Sequence, residues 1–72
     1  MIGQIKSVSI RYKKVVVETN ISKIVLPISN LVIHNNKIVG IKLFDNNIYI
    51  PLSLLIRNNV KIQVDPRLPY HI

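Results

Sequence analysis

Apolar and polar residues alternate with a period of two along most of this chain. Val15-Val-Val-Glu-Thr19 and Lys23 to Leu26 each read as a strand, with Asn20-Ile-Ser22 as the turn between them. Ile38 to Phe44 and Ile48 to Ile50 repeat that arrangement around a turn at Asp45-Asn46-Asn47. Ile2 to Ile10 supplies a first strand and Val60 to Val64 a last one, and no segment shows a long apolar repeat at helical spacing. Pro27 and Pro51 fall where a strand must stop, because proline has no N–H to give to a ladder. The apolar stretches after them, Ile28 to Leu31 and Leu52 to Ile56, suit a buried corner or a single helical turn. Asn35-Asn36, Asn46-Asn47 and Asn58-Asn59 mark turns, since asparagine tolerates the left-handed backbone that tight turns need.

Two passages match at a shift of 24 residues, placing Ile24 on Ile48, Pro27 on Pro51, Ser29 on Ser53 and Leu31 on Leu55. Farther along, Asn35 falls on Asn59, Lys37 on Lys61 and Ile38 on Ile62. Periods of this length mark repeated supersecondary units, so the chain predicts an internal repeat of hairpin plus corner. Alternation turns Val15, Val17, Ile24, Leu26, Val39, Ile41, Leu43, Ile48, Ile50, Val60, Ile62 and Val64 inward. Glu18, Lys42, Tyr49, Lys61 and Gln63 fall on the other face. About six or seven short strands around one core predict an all-β domain, a small closed SH3-like or PRC-like barrel, since closure removes exposed edges. Residues 1–64 would form the barrel. In residues 65–72, Pro66 and Pro69 predict an extended arm that stays out of the ladder.

The stretch Lys37-Ile-Val-Gly-Ile-Lys-Leu-Phe-Asp-Asn-Asn-Ile-Tyr-Ile-Pro-Leu-Ser-Leu-Leu-Ile56 resembles the PRC-barrel family. There a Val-Gly-x-x-Leu strand, a polar turn and an Ile-Pro before an apolar corner recur. The resemblance covers roughly residues 37 to 66; the family's early glycine-rich turn has no counterpart near residues 11 to 20. It implies a barrel that acts as an adaptor for RNA-processing and other machinery. The strand ending in Ile50-Pro51 is also similar to that of AbrB-type swapped-hairpin DNA binders. Only eight residues separate Pro51 from Val60, however, too few for the helix placed there in those proteins.

Charge changes the picture most. Ten Lys and Arg against three Asp and Glu give a net charge of +7 on 72 residues, a self-repulsion that a polyanionic partner relieves. Nucleic acid is the densest such partner, and each neutralised phosphate releases a counterion. The chain has no cysteine, which excludes disulfides and thiolate metal sites. A chain of this length buries only about 60% of its unfolded surface, so its core is marginal. Its start lacks the apolar segment of a secretory signal, and its uncharged runs are broken by Pro27 and Pro51 short of the ~20 residues of a membrane span. A soluble, cytoplasmic protein with no membrane partner is expected.

The inventory speaks against catalysis. Glu18, Asp45 and Asp65 are the whole supply of carboxylates, with Asp45 suited to a turn and Asp65 preceding Pro66. His34 and His71 lack nearby metal partners, and Gly3 and Gly40 make no phosphate loop. We therefore expect no enzyme, no metal, no cofactor and no small-molecule substrate. Three groups of residues suit binding instead. Arg11-Tyr12-Lys13-Lys14 puts three cations and an aromatic ring on one loop, an arrangement that grips phosphates and stacks on bases. Lys42, Tyr49 and Lys61 share the outward parity and would meet on one face if their strands adjoin. Arg67 and Tyr70 lie on the arm, placed to enter a groove of folded RNA or lie along a neighbouring protein. The expectation is a small ribosomal accessory protein that contacts rRNA, and neighbouring proteins of the ribonucleoprotein, through these residues. The alternatives are a PRC-like protein adaptor and a chromatin-type duplex DNA binder. The absence of tryptophan leaves the last with few intercalating wedges.

Overall fold

The computed structural model describes residues 4–43 and 47–72. Among these residues it is an all-β domain of seven strands in two sheets with one short α-helix. The first sheet has the order β3-β2-β1-β7, built from β1 (Ile5–Ile10), β2 (Lys14–Thr19), β3 (Lys23–Pro27) and β7 (Lys61–Val64). The second has the order β4-β5-β6, from β4 (Leu31–His34), β5 (Lys37–Leu43) and β6 (Ile48–Pro51). Neighbours pair antiparallel except β1 and β7, which run parallel because α1 (Leu52–Arg57) and the second sheet intervene between them. The two ladders do not join into one closed barrel among the described residues. Ile2, Gly3, Phe44, Asp45 and Asn46, expected in the first strand and in the β5–β6 hairpin, lie outside those residues. No helix among the described residues is long and apolar enough to cross a membrane.

Local chemistry explains most of the corners. Thr19 is buried, and its hydroxyl accepts the N–H groups of Ile21 and Ser22 at 3.2 and 3.0 Å. That hydroxyl also donates to the Ser22 carbonyl at 3.1 Å, so one side chain shapes the whole β2–β3 turn. Asn35 and Asn36, with φ of 52° and 63°, make the left-handed pair between His34 and Lys37 that a two-residue hairpin requires. Asn59, with φ of 61°, ends α1: its N–H donates to Ile56 O at 3.1 Å, and Val60 N–H reaches back to Leu55 O at 3.0 Å. Pro27 and Pro51 both end the return strand of a hairpin and both precede a helical turn, a 3₁₀ turn over Ile28–Asn30 and α1 respectively. The hairpins pair differently, however: Pro27 faces Lys14, thirteen residues back, and Pro51 faces Gly40, eleven back.

The core lies between the sheets. Val8, Ile10, Val15, Val17, Ile38, Ile41 and Leu43 fill it, closed by Leu31, Leu52 and Leu55. Two β-bulges reset the alternation that the chain alone suggests. On β1, Ile5 faces Thr19 and Ser7 faces Glu18, which leaves Lys6 unpaired and returns Val8 and Ile10 to the core. On β5, Val32 faces Gly40 and Ile33 faces Ile38, so Val39 is the extra residue. Val39, expected inward, therefore gives its place in the core to Ile38. Ile48, also expected inward, sits at the hairpin end and is 38% exposed.

The tail also departs from expectation. Pro66 occupies a turn rather than an extended arm: Asp65 Oδ1 accepts the Arg67 N–H at 2.9 Å, and Leu68 N–H donates to Asp65 O at 3.1 Å. His71 then pairs with the start of β5, receiving Ile38 N–H at 2.8 Å and donating to Asn36 O at 3.1 Å. His71, unlike the prolines, has an N–H to give, and that is why the tail can join an edge.

Candidate nucleic-acid interface

The outward face of the first sheet is a recess of about 790 Å³. Its floor is set by pairing: Ser9 lies between Val16 and Gln63, and Ser7 between Glu18 and Lys61. These small hydroxyl side chains keep the floor low. One wall is the β1–β2 hairpin end, where Arg11 N–H donates to Lys14 O at 2.8 Å and leaves Tyr12 and Lys13 at the tip. Arg67 stands against this wall, and Glu18 and Lys23 line the opposite end. Tyr12 remains 53% exposed.

Arg67 is the hinge of the arrangement. Its guanidinium lies 5.4 Å from the centroid of the Tyr12 ring, a cation–π contact. The same guanidinium grips Asp65, with Nη2 to Oδ2 at 2.8 Å and Nε to both carboxylate oxygens at 3.2 and 3.3 Å. Those bonds, with the Arg67 backbone N–H, hold the Asp65 carboxyl down at about 2, and Asp65 in turn raises the Arg67 pKa. Thus the turn after β7 is stapled to the hairpin between β1 and β2. At the far end Lys23 and Glu18 make a looser ion pair at 3.8 Å, both well exposed. Arg11 lies near Asp65 and helps to lower its pKa, while Lys13 and Lys14 enter no salt bridge among the described residues, so the wall beside Tyr12 carries a net positive charge.

The residues expected to bind divide cleanly. Arg11, Tyr12, Lys13, Lys14 and Arg67 meet in this recess, and Lys61 stands at its edge beside Ser7. Lys61 is therefore not a neighbour of Lys42 and Tyr49, and the surface expected from those three residues does not form. Lys42 and Tyr49 face each other on the second sheet. Tyr49 serves packing there. Its ring lies across Gly40, and its hydroxyl donates to the carbonyl of the bulged Val39 at 3.2 Å. A methyl group on Gly40 would come within 2.5 Å of Tyr49 Oη and 2.6 Å of Cζ. Tyr70 is half-buried against the core and lines a separate tail groove with Leu68 and Pro69. Ser7, Ser9, Val16 and Lys23 were not anticipated as part of the site, although outward parity on β1, β2 and β3 is the signal that would have found them. No group of three His, Cys, Asp or Glu able to hold a metal ion occurs among the described residues.

No known protein family, curated protein or solved structure matches this chain.

Proposed function

We propose that this is a non-enzymatic RNA-binding protein of the cytoplasm, an accessory component of the ribosome that contacts rRNA through the first sheet. The observation that carries the reading is the convergence of Arg11, Lys13, Lys14 and Arg67 around an exposed tyrosine, over a floor of serines. Cations there would neutralise phosphates and set the position of the RNA without reading its sequence. The net charge of +7 supplies long-range attraction in the same sense. On this reading the two sheets are halves of an open SH3-like or PRC-like barrel, and the 24-residue correspondence is an internal repeat. The matching positions of Pro27 and Pro51 favour that view, while the two-residue difference in pairing counts against strict equivalence.

Sedimentation of the native protein from a cell lysate through sucrose gradients tests the proposal. Co-migration with one ribosomal subunit at low salt, weakening at high salt, is expected. Recovery at the top of the gradient at both salts removes the ribosomal reading. A second reading, a PRC-like protein adaptor, is favoured by one feature. Ile56 (54%) and Leu54 (44%) of α1 are exposed, and Leu54 lines an apolar cleft of about 270 Å³ with Ile5 and Ile50. Salt-insensitive capture of a protein partner would support that reading.

A further inference from the structure

We propose that the recess takes single-stranded RNA and that one unpaired base stacks on the open face of Tyr12, with Arg67 positioning the ring. The inference rests on the RNA-binding reading above and assigns its ligand conformation. A duplex is read by an element that projects into its groove, such as a helix or a β-ribbon. This face is instead an open, shallow recess of about 790 Å³ beside the hairpin tip. An extended strand can lay bases into such a space and leave its phosphates on the rim.

Tyr12 is already placed to receive a base. Of the two other tyrosines, Tyr49 is 48% exposed, but its ring lies across Gly40 with its hydroxyl bonded to Val39 O, and Tyr70 is half-buried against the core. Tyr12 does neither: it stands at a hairpin tip, more than half exposed, with a guanidinium over its ring. That guanidinium cannot leave the ring without breaking its bonds to Asp65. The contact favours one position of the exposed ring before any ligand arrives, which reduces the ordering penalty of binding. A base on the other face completes a stack of base, Tyr12 and Arg67. Lys13 and Lys14 flank the ring for the adjoining phosphates, and the Ser7 and Ser9 hydroxyls line the floor for a ribose or phosphate oxygen.

The test is fluorescence anisotropy with the full chain and labelled ten-nucleotide RNA, supplied single-stranded or as a duplex. Parallel single strands of DNA and the variants Tyr12→Ala, Tyr12→Phe, Arg67→Ala and Lys13→Glu complete the set. Thermal melts check that each variant is folded. The single strand is expected to bind more tightly than the duplex. Tyr12→Ala should weaken single-strand binding about tenfold, while Tyr12→Phe stays near wild type. Arg67→Ala should also weaken it, and adding Tyr12→Ala to that variant should cost little more, because both remove one stack. Equal binding of duplex and single strand, with Tyr12→Ala unchanged and Lys13→Glu weakened, overturns the stacking inference and leaves RNA binding standing. Binding of neither RNA form by wild type at low salt overturns both. Tighter binding of the DNA strand, still dependent on Tyr12, keeps the stack and overturns RNA as its partner.

Discussion

At the scale of single residues, a few side chains hold conformations that their neighbours cannot supply. Asn36 is left-handed at φ of 63° in a two-residue turn. An ordinary L-residue pays about 1–2 kcal/mol there, whereas glycine does not. Asn36→Ala is therefore expected to lower the melting temperature by roughly 4–8 °C per kcal/mol lost, and Asn36→Gly to keep or raise it. Calorimetry of the two variants decides it. Gly40 offers a sharper case, since the Tyr49 ring occupies the space a methyl group would take. We expect Gly40→Ala to displace the half-exposed Tyr49 ring and its bond to Val39 O, costing about 1 kcal/mol in wild type and almost nothing in a Tyr49→Ala background. Denaturant unfolding of the four proteins of that cycle measures the coupling. Equal costs in both backgrounds would show that the ring does not cover the glycine.

At the scale of elements, the β1–β2 hairpin and the turn after β7 act as one unit through Asp65, Arg67 and Tyr12. The Asp65 pKa is about 2 in the folded protein, below its ordinary value of 3.8. A depressed carboxyl pKa stabilises the fold fully above the ordinary value, and that contribution disappears as the pH falls toward 2. Wild type should therefore lose stability between about pH 4 and pH 2 relative to Asp65→Asn, which has no proton to take up. Thermal melts of the two proteins across that range show whether the curves converge. The hairpin also carries the electrostatic prediction. Each phosphate contact made to a single strand contributes about −0.7 to the slope of log K against log salt. Lys13→Glu with Lys14→Glu should flatten the slope by about 1.4 or more, while Lys42→Glu on the second sheet leaves it near wild type. A similar flattening from Lys42→Glu would mean that the second sheet shares the contact.

At the scale of the molecule, the radius of gyration is 11.2 Å, the size expected of a compact chain of this length. What local rules can reach was legible in the chain. Alternation marked most of the strands, asparagine pairs marked two of the turns the structure describes, and prolines marked both corners. The cationic loop at residues 11–14 could be singled out because its four residues are adjacent in sequence. Three features were not legible. The bulges at Lys6 and Val39 shift parity by one residue, and a bulge is a property of two strands together. Lys61 joins the first sheet because β7 pairs parallel with β1 across most of the chain, a choice no local pattern records. Arg67 reaches Tyr12 because Asp65 folds the chain into a turn where two prolines suggested an extended arm. By itself the sequence determined the β class, the turn chemistry and the excess of positive charge, since each follows from residue type and near neighbours. Tertiary structure alone decided which cations share a surface and which tyrosine stands among them, because strand pairing brings together side chains more than fifty positions apart, such as Tyr12 and Arg67.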